Sequence, residues 1–560
     1  MIRVRPGITA AVVVPPIVFA VLVVIFWGAF VGDRGLVGET IWIELSQSRP
    51  GVEGFIYPYD ATRRLMSLPF HLAYLASNGS YLSLYLLYGV FLWATGVLTW
   101  LIVGELAPSA PLLATLAGAF AIVHGADRSI AFVAMIVVRQ SVVAALLAAW
   151  AALRGWNRRQ PSMLAIAASA QAIALWTYEP ALGLLAVAPL LFWTDRINHR
   201  LIVWTLGWFA VPAIFVLTLV LRYVLAKGGS YQAAAVALPS AGAAVLALAR
   251  FTYDGLAFWR WPAPWWNQAA TMCRAMVLER AALPLAAGTI VFAAGAFVLG
   301  RRPDALAPIT PAAIIKLVAM VAAAYAPFLF VNNVDAPGIT GFWRVHFYAS
   351  PAIGVALAAV CVYPVQAHQL RPAALLVATA IVASGLAAGL MSQLDGARRW
   401  TAYRQVVAGI LARAPRVRDN TFIALLGVPD AAPVSLCPAY VDDPFADTMW
   451  FNSALQLMYP RTIVAGSYWR QDGSMSGSVR YRFDPDGVNL ERTSVTVEGT
   501  HFEYDRVIAF DFDENHLPRL LETLPARMAP YPAARDQYRP SSRIVDGTPP
   551  PETIARFDLR

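Results

Sequence analysis

The sequence predicts a polytopic α-helical membrane protein of about eleven transmembrane helices, followed by a small C-terminal α+β domain outside the membrane. Three observations predict it. Of 560 residues, 58% are hydrophobic and 14% charged, too apolar for a soluble multidomain chain. Apolar runs of ~20 residues, the length that crosses a bilayer, recur through the first 391 residues. From residue 396 onward the pattern changes: 19 Arg and no Lys face 20 Asp plus Glu, a net of −1, so with a whole-chain charge of +9 the first 395 residues carry +10. A basic excess confined to the membrane half suits short loops facing anionic lipid and makes nucleic acid an unfit partner. The three cysteines, Cys273, Cys361 and Cys437, are scattered without a CxxC, so neither a disulfide framework nor a thiolate metal site is implied.

The spans follow in order near 8–31, 81–103, 108–124, 130–153, 162–177, 181–194, 201–224, 283–299, 311–331, 347–364 and 373–391. The first follows Arg3 and Arg5, lacks an A-x-A cleavage site, and is read as an uncleaved span. With the N-terminus cytoplasmic, Arg154, Arg158 and Arg159, then Arg196 and Arg200, then Arg301 and Arg302, then Arg371 all fall in cytoplasmic loops. Between Arg159 and Asp195 the only formal charge is Glu179, with Pro180 next to it. A single helix there would put the two Arg clusters on opposite sides of the membrane. A hairpin returns both to one side, with Pro180 starting the second arm and Tyr178-Glu179 at the tip. Lys316 snorkels to the cytoplasmic side, and residues 231–249 are either re-entrant or a surface helix.

Among the outer segments four stand out: the loop 32–80, the loop 225–282, a short loop 332–346, and everything after 391. In the first, "TIWIELSQ" and "RRLMSLPFHLAYLAS" have the spacing of helices lying in the interface. "FTYDGLAFWRWPAPWWN" reads as an aromatic belt at headgroup level. The chain therefore divides into a membrane domain, 1–391, and a soluble extracytoplasmic α+β domain, 392–560. The tail opens with an amphipathic "WTAYRQVVAGILARA". Strand-like "TFIALLGV", "RTIVAGSY", "GSVRYRF", "TSVTVEG" and "RVIAFDFD" follow, and then a helical "LPRLLETLPARM". It holds no GxGxxG or P-loop. The acidic "YVDDPFAD" and "DFDEN" do not fit a calcium loop and read as solvated, so a divalent metal is not indicated.

Ionisable residues gather at the outer ends of the spans: Asp33, Asp60 with Arg63 and Arg64, Asp127 and Arg128, Glu179, Arg222 and Lys227, Arg344 and His346. Charges at membrane depth are costly and face a cavity or a partner. Acids and bases together at one leaflet fit a site that handles a phosphate and a proton. Each has a plainer alternative. Asp33 could pair with Arg34 in water, Asp60 with Arg63 or Arg64 at i+3 or i+4, and Glu179 could only terminate the hairpin, although a buried unpaired Glu would stay protonated and gain little there.

The segments "FVGDRG", "YPYDATRR", "TYEPALGL" and "FWRVHFYASP", in a chain of about eleven spans with a C-terminal outer domain, resemble the GT-C superfamily of membrane glycosyltransferases. The resemblance implies transfer of a sugar from a polyprenyl-phosphate donor to a cell-envelope glycan, lipid or protein, at the outer leaflet of a bacterial inner membrane, with inversion and no cofactor. Asp33 then matches the family's first-loop general base. Many relatives carry an acidic pair where this chain has Asp33-Arg34, so Asp60 shares the candidacy. Tyr178, Glu179, Arg344, His346, Arg63, Arg64, Lys227 and Arg222 become candidate ligands of donor or acceptor. The competing readings are a polyprenyl-linked lipid flippase or transporter, which would carry internal repeats and midplane charges, and an O-antigen ligase- or polymerase-like protein. A membrane anchor for the tail needs fewer spans.

Overall fold

Apolar helices dominate the first 400 residues. The computed structural model describes residues 6–35, 56, 62–77, 82–127, 133–193, 198–225, 239–263, 266, 271–300, 310–330, 345–363, 371–428, 433–434, 437–438, 448–460, 462–470, 479–493, 500–514 and 517–559. Within these, α1 (Pro6–Val23) runs into a π-helical turn (Val24–Gly28) and a 3-10 turn (Val31–Asp33). Then come α2 (Leu68–Ser77), α3 (Leu82–Leu106), α4 (Pro111–Ile122), α5 (Ile136–Arg158), α6 (Met163–Thr177), α7 (Ala181–Val187) and α8 (His199–Leu225). They are followed by α9 (Ala241–Leu256), α10 (Thr271–Gly300), α11 (Pro311–Tyr325), α12 (His346–Val362) and α13 (Arg371–Arg413).

Seven of the described helical segments are long and apolar enough to cross a membrane: Val12–Asp33, Leu82–Leu106, Val133–Arg158, His199–Leu221, Val277–Gly300, Pro311–Phe330 and Pro372–Arg413. Four shorter apolar ones, Pro111–Ile122, Met163–Thr177, Ala181–Leu191 and His346–Val362, fall on the other expected spans. At 1.5 Å per residue α4 covers only ~18 Å. It is tolerated because it is buried from Leu112 to Ile122 between α3 and α12, where protein rather than lipid surrounds it. The outer helices keep large apolar side chains exposed, such as Leu206, Leu283, Ile290 and Leu376, which lipid would cover. These features make the chain a membrane protein.

Small residues set the closest approaches. A Cβ at Gly354 of α12 would lie 2.8 Å from the Ala117 carbonyl oxygen and 3.0 Å from the Ala121 nitrogen, both on α4. One at Gly385 of α13 would run into the Val123 carbonyl. Such backbone contacts are how helices associate where no hydrophobic gradient drives them together.

The α13 helix, 43 residues long, passes through residue 391 without a break, so the last span and the amphipathic stretch after it are one rod. Beyond it, strands β1 (Arg416–Val417) and β11 (Ile544–Val545) pair, closing the chain's end onto the start of the tail. The main sheet has order β10-β9-β2-β5. In it β2 (Thr421–Val428) is parallel to both β5 (Val464–Arg470) and β9 (Val507–Phe512), and β10 (Pro518–Leu520) is antiparallel to β9. Helix α14 (Thr448–Met458) packs on β5, as a crossover between parallel strands requires. A second sheet joins β6 (Val479–Asp484), β7 (Gly487–Thr493) and β8 (His501–Phe502), and the short β3 (Pro433–Val434) and β4 (Cys437–Pro438) pair with each other.

Two expectations for the tail change. "LPRLLETLPARM" is not helical: Pro518–Leu520 is strand β10, and the Leu521 amide donates to the Ala509 carbonyl at 2.9 Å. Pro518 and Pro525 disfavour a helix, and the free edge of β9 takes the segment instead. "FTYDGLAFWRWPAPWWN" is not a uniform belt, since it ends α9 and buries Trp261 against His124 at 5.0 Å between ring centroids, while Trp259 stays exposed. "TSVTVEG" past Thr493, "YVDDPFAD" and "TIWIELSQ" lie outside the described residues. Of "DFDEN", Asp511 binds Arg519 through two contacts at 3.0 and 2.6 Å. On the second sheet, a hydrogen bond from Arg482 holds the partly buried Asp484 carboxyl below its ordinary pKa.

Gly354→Val and Gly385→Val are expected to cost ~1–3 kcal/mol or more by overpacking, read as a lower midpoint in thermal unfolding of detergent-solubilised protein. Gly104→Ala, with nothing within 4 Å of the added carbon, should leave the midpoint in place.

Candidate functional site

The helix ends sort charges into two groups. At one end of the bundle Glu105 accepts from Arg154 at 3.2 Å and lies 3.9 Å from Arg158. Near it Arg200 lies over the Trp156 ring at 4.2 Å, and Lys316 donates to the Trp193 carbonyl at 3.1 Å. The opposite end carries a continuous layer of polar and aromatic side chains drawn from many helices.

The deepest part of that layer is Asp127 with Arg139. Asp127 follows α4 and Arg139 sits one turn into α5. Their side chains are 0% and 2% exposed and meet at 2.5 Å. Arg139 also donates to the Tyr88 hydroxyl at 3.3 Å and lies over the Phe347 ring at 4.4 Å. Tyr88 stacks on Trp27 at 4.0 Å, and Trp27 and Tyr85 both present their rings to the guanidinium of the buried Arg34, at 4.5 and 4.7 Å. Asp33 and Arg34 therefore do not pair: one faces out, the other in. The Asp33 carboxylate is half exposed, and Arg280 of α10 donates to it at 2.5 Å while lying over the Phe30 ring at 4.9 Å.

A second cluster forms where α6 turns into α7. Tyr178 is extended, Pro180 caps α7, and Glu179 stands at the tip. The Leu65 amide donates to the Trp176 carbonyl at 2.9 Å, which brings the first loop alongside. Arg63 then donates from Nε to both Glu179 oxygens, at 2.8 and 3.0 Å, with its guanidinium 5.1 Å from the Tyr178 ring. Glu179 is thus neither unpaired nor fully buried, its side chain being 21% exposed. Beneath it Tyr178 stacks on Tyr348 at 6.5 Å, whose hydroxyl donates to Ser141 at 2.6 Å. Ser141 donates to the Ala174 carbonyl at 2.8 Å, and Gln140 to Thr177 at 2.9 Å, fixing α5 against the end of α6. His346 is buried, shares a 3.0 Å hydrogen bond with Tyr325, and lies 5.7 Å from His124 between ring centroids.

Of the residues singled out in the sequence, the structure brings Arg63, Tyr178 and Glu179 together, and ties Asp33 to a partner outside that set. Arg64 is described near Arg63. His346 faces inward to Tyr325 rather than outward. Asp60, Arg128, Lys227 and Arg344, and the side chain of Arg222, lie outside the described residues. The i+3 or i+4 pairing of Asp60 with Arg63 has a competitor, because Arg63 is engaged by Glu179.

Sequence reasoning missed Arg139, Arg280, Tyr348 and Ser141. A lone arginine inside the apolar run "VAMIVVRQSVVAALL" was the available signal for the first. Arg280 was hidden because its stretch reads as loop, whereas α10 already begins at Thr271. Among the described residues no group of three or more His, Cys, Asp or Glu could hold a metal ion.

No protein-family model matches the sequence, and no curated protein matches it significantly. Among solved structures, the chain is similar to that of ArnT from Cupriavidus metallidurans bound to undecaprenyl phosphate, at 15% identity over 80% of this chain and 89% of that one, with a TM-score of 0.37. It is similar to the same protein in the apo state at 14% identity over 80% and 88%, with a TM-score of 0.35. Neither fold nor activity follows from overlaps of this size.

Removing one partner of the buried pair strands a charge, so Arg139→Met should cost ~3–5 kcal/mol. Asp127→Leu/Arg139→Met together should recover most of that, as read from thermal unfolding midpoints. Equal loss in the single and double variants would show that the pair is not what Arg139 supports.

Proposed function

We propose that this chain is a membrane glycosyltransferase that moves a sugar from a polyprenyl-phosphate donor to a cell-envelope acceptor with inversion. One observation carries the reading. At one end of an apolar bundle two partly exposed carboxylates, Asp33 and Glu179, are each held by an arginine, Arg280 and Arg63. A membrane-dissolved donor presents its phosphate at that depth, and arginine suits a phosphate through charge and a planar donor fork.

The chemistry follows from the charges. Asp33 takes the proton of the acceptor hydroxyl as its oxygen attacks the anomeric carbon from the face opposite the phosphate. The carbon–oxygen bond to phosphate breaks, and the electron pair leaves with the polyprenyl phosphate. Arg280, beside Asp33 and itself partly exposed, offsets that developing charge. Glu179 and Tyr178 orient Arg63 toward donor or acceptor. Arg64, Arg222, Lys227, Arg344 and Asp60 complete the proposed set, while the buried His346 supports α12 beneath it. No cofactor or metal enters this scheme.

The orientation belongs to the same reading. The end bearing Arg154, Arg158 and Arg200 faces the cytoplasm by charge bias, which puts the polar layer and the C-terminal domain outside a bacterial inner membrane. A flippase would instead hold its charges near the midplane.

Transfer from labelled polyprenyl-phosphate sugars in membranes tests the reading. Asp33→Asn should lower the rate about 10²- to 10⁴-fold, the usual range for a general base, with Arg280→Ala also impaired. Wild-type rates in Asp33→Asn, Asp60→Asn and Glu179→Gln, singly and combined, would remove the proposed base.

A further inference from the structure

The turn that presents Asp33 is irregular, and its irregularity has a partner 363 residues away along the chain. Over Val24–Gly28 the helix widens into a π-turn, and at Phe30 the backbone leaves helical geometry before the 3-10 turn Val31–Asp33. A junction of this kind releases backbone groups from the helical ladder. Inside a membrane protein they need another partner. Gln393 of α13, buried at 1% exposure, supplies it at both points. Its Nε2 donates to the Ile25 carbonyl at 2.9 Å, and its Oε1 accepts from the Phe30 amide at 3.0 Å.

Phe30 links this clamp to the proposed chemistry in two ways. Its carbonyl accepts from the Asp33 amide at 3.1 Å, and its ring lies under the Arg280 guanidinium that binds the Asp33 carboxylate. Gly389 and Gly396 fall on the same face of α13, about one turn before and one turn after Gln393. A Cβ at the first would strike Phe26, and one at the second would lie 3.0 Å from Arg34 Nε. With glycine at both places α13 comes close enough for its side-chain amide to reach the turn.

We propose that Gln393 is a positioning residue for Asp33, its side-chain amide holding the π-turn and 3-10 turn in the register that aims the carboxylate and seats Arg280. The catalytic half of this statement rests on the glycosyltransferase reading above. The clamp itself does not.

The experiment has two arms on the full-length protein. In the first, backbone amide exchange in detergent or nanodiscs is followed at Phe30 and Asp33 in wild type, Gln393→Met and Gln393→Leu. Methionine keeps the length of the side chain and leucine only its bulk, and both lose the acceptor for Phe30 and the donor for Ile25. Exchange at Phe30 should quicken in both. In the second arm, transfer from polyprenyl-phosphate sugar should fall about 100-fold in kcat for both, the scale of a reacting group displaced by ~1 Å, with KM for the donor within about twofold. A role confined to stability would leave kcat per folded molecule unchanged. If Gln393→Leu does not fold, Gln393→Met carries both arms.

Wild-type exchange at Phe30 in Gln393→Met overturns the proposal, as does unchanged kcat in a variant whose Phe30 exchanges faster. Full activity in Asp33→Asn overturns the reading of Asp33 as base and leaves the exchange result to decide the clamp alone.

Discussion

An ion pair with almost no access to solvent organises this bundle. Asp127 and Arg139 meet where α4 ends and α5 begins, and each would be costly to bury alone. Their pairing obliges Tyr88 of α3 and Phe347 of α12 to close around them. The stack then runs outward through Trp27 to Arg34, so the turn after α1 is docked against the same core. Asp33 and Glu179 stand above that floor.

The floor and the surface differ in a way that suits chemistry. The buried Asp127 and Arg139 are matched to each other, and Arg139 and Arg34 lie against aromatic faces, whereas the two outward carboxylates are held by arginines that remain partly open. Positions are imposed by backbone contacts from distant parts of the chain. The Leu65 amide on Trp176 sets the first loop, and Gln393 sets the turn before Asp33. The tail joins the same frame. Phe557 packs on Trp400 and Tyr403 of α13, Arg404 binds Asp558 at 2.7 Å, and Trp400 reaches back to Gly35. A single long helix thus contacts both the proposed site and the C-terminal domain.

Much of this was legible because lipid imposes simple rules. Apolar runs placed the helices, and Glu179-Pro180 marked the turn between α6 and α7. The strands "TFIALLGV" and "RVIAFDFD" were plain from their β-branched and aromatic content. The segment "LPRLLETLPARM" failed because local helical spacing lost to an open strand edge on β9. β7, "GVNLERT", and α14, "TMWFNSALQLM", escaped notice because their periodicity is short and mixed with polar residues.

What the sequence determined alone was the class of molecule: where apolar helices lie, that acids and bases collect near their ends, and that a mixed α/β unit follows. Those facts depend on composition and spacing, which need no partner. Pairing was decided only by tertiary structure. Asp33 joins Arg280 rather than Arg34, Glu179 joins Arg63, and Gln393 reaches Ile25 and Phe30. Each of these contacts spans more than a hundred residues. Which of several possible partners a charge takes depends on how helices cross, and that is settled by packing distances no linear pattern contains.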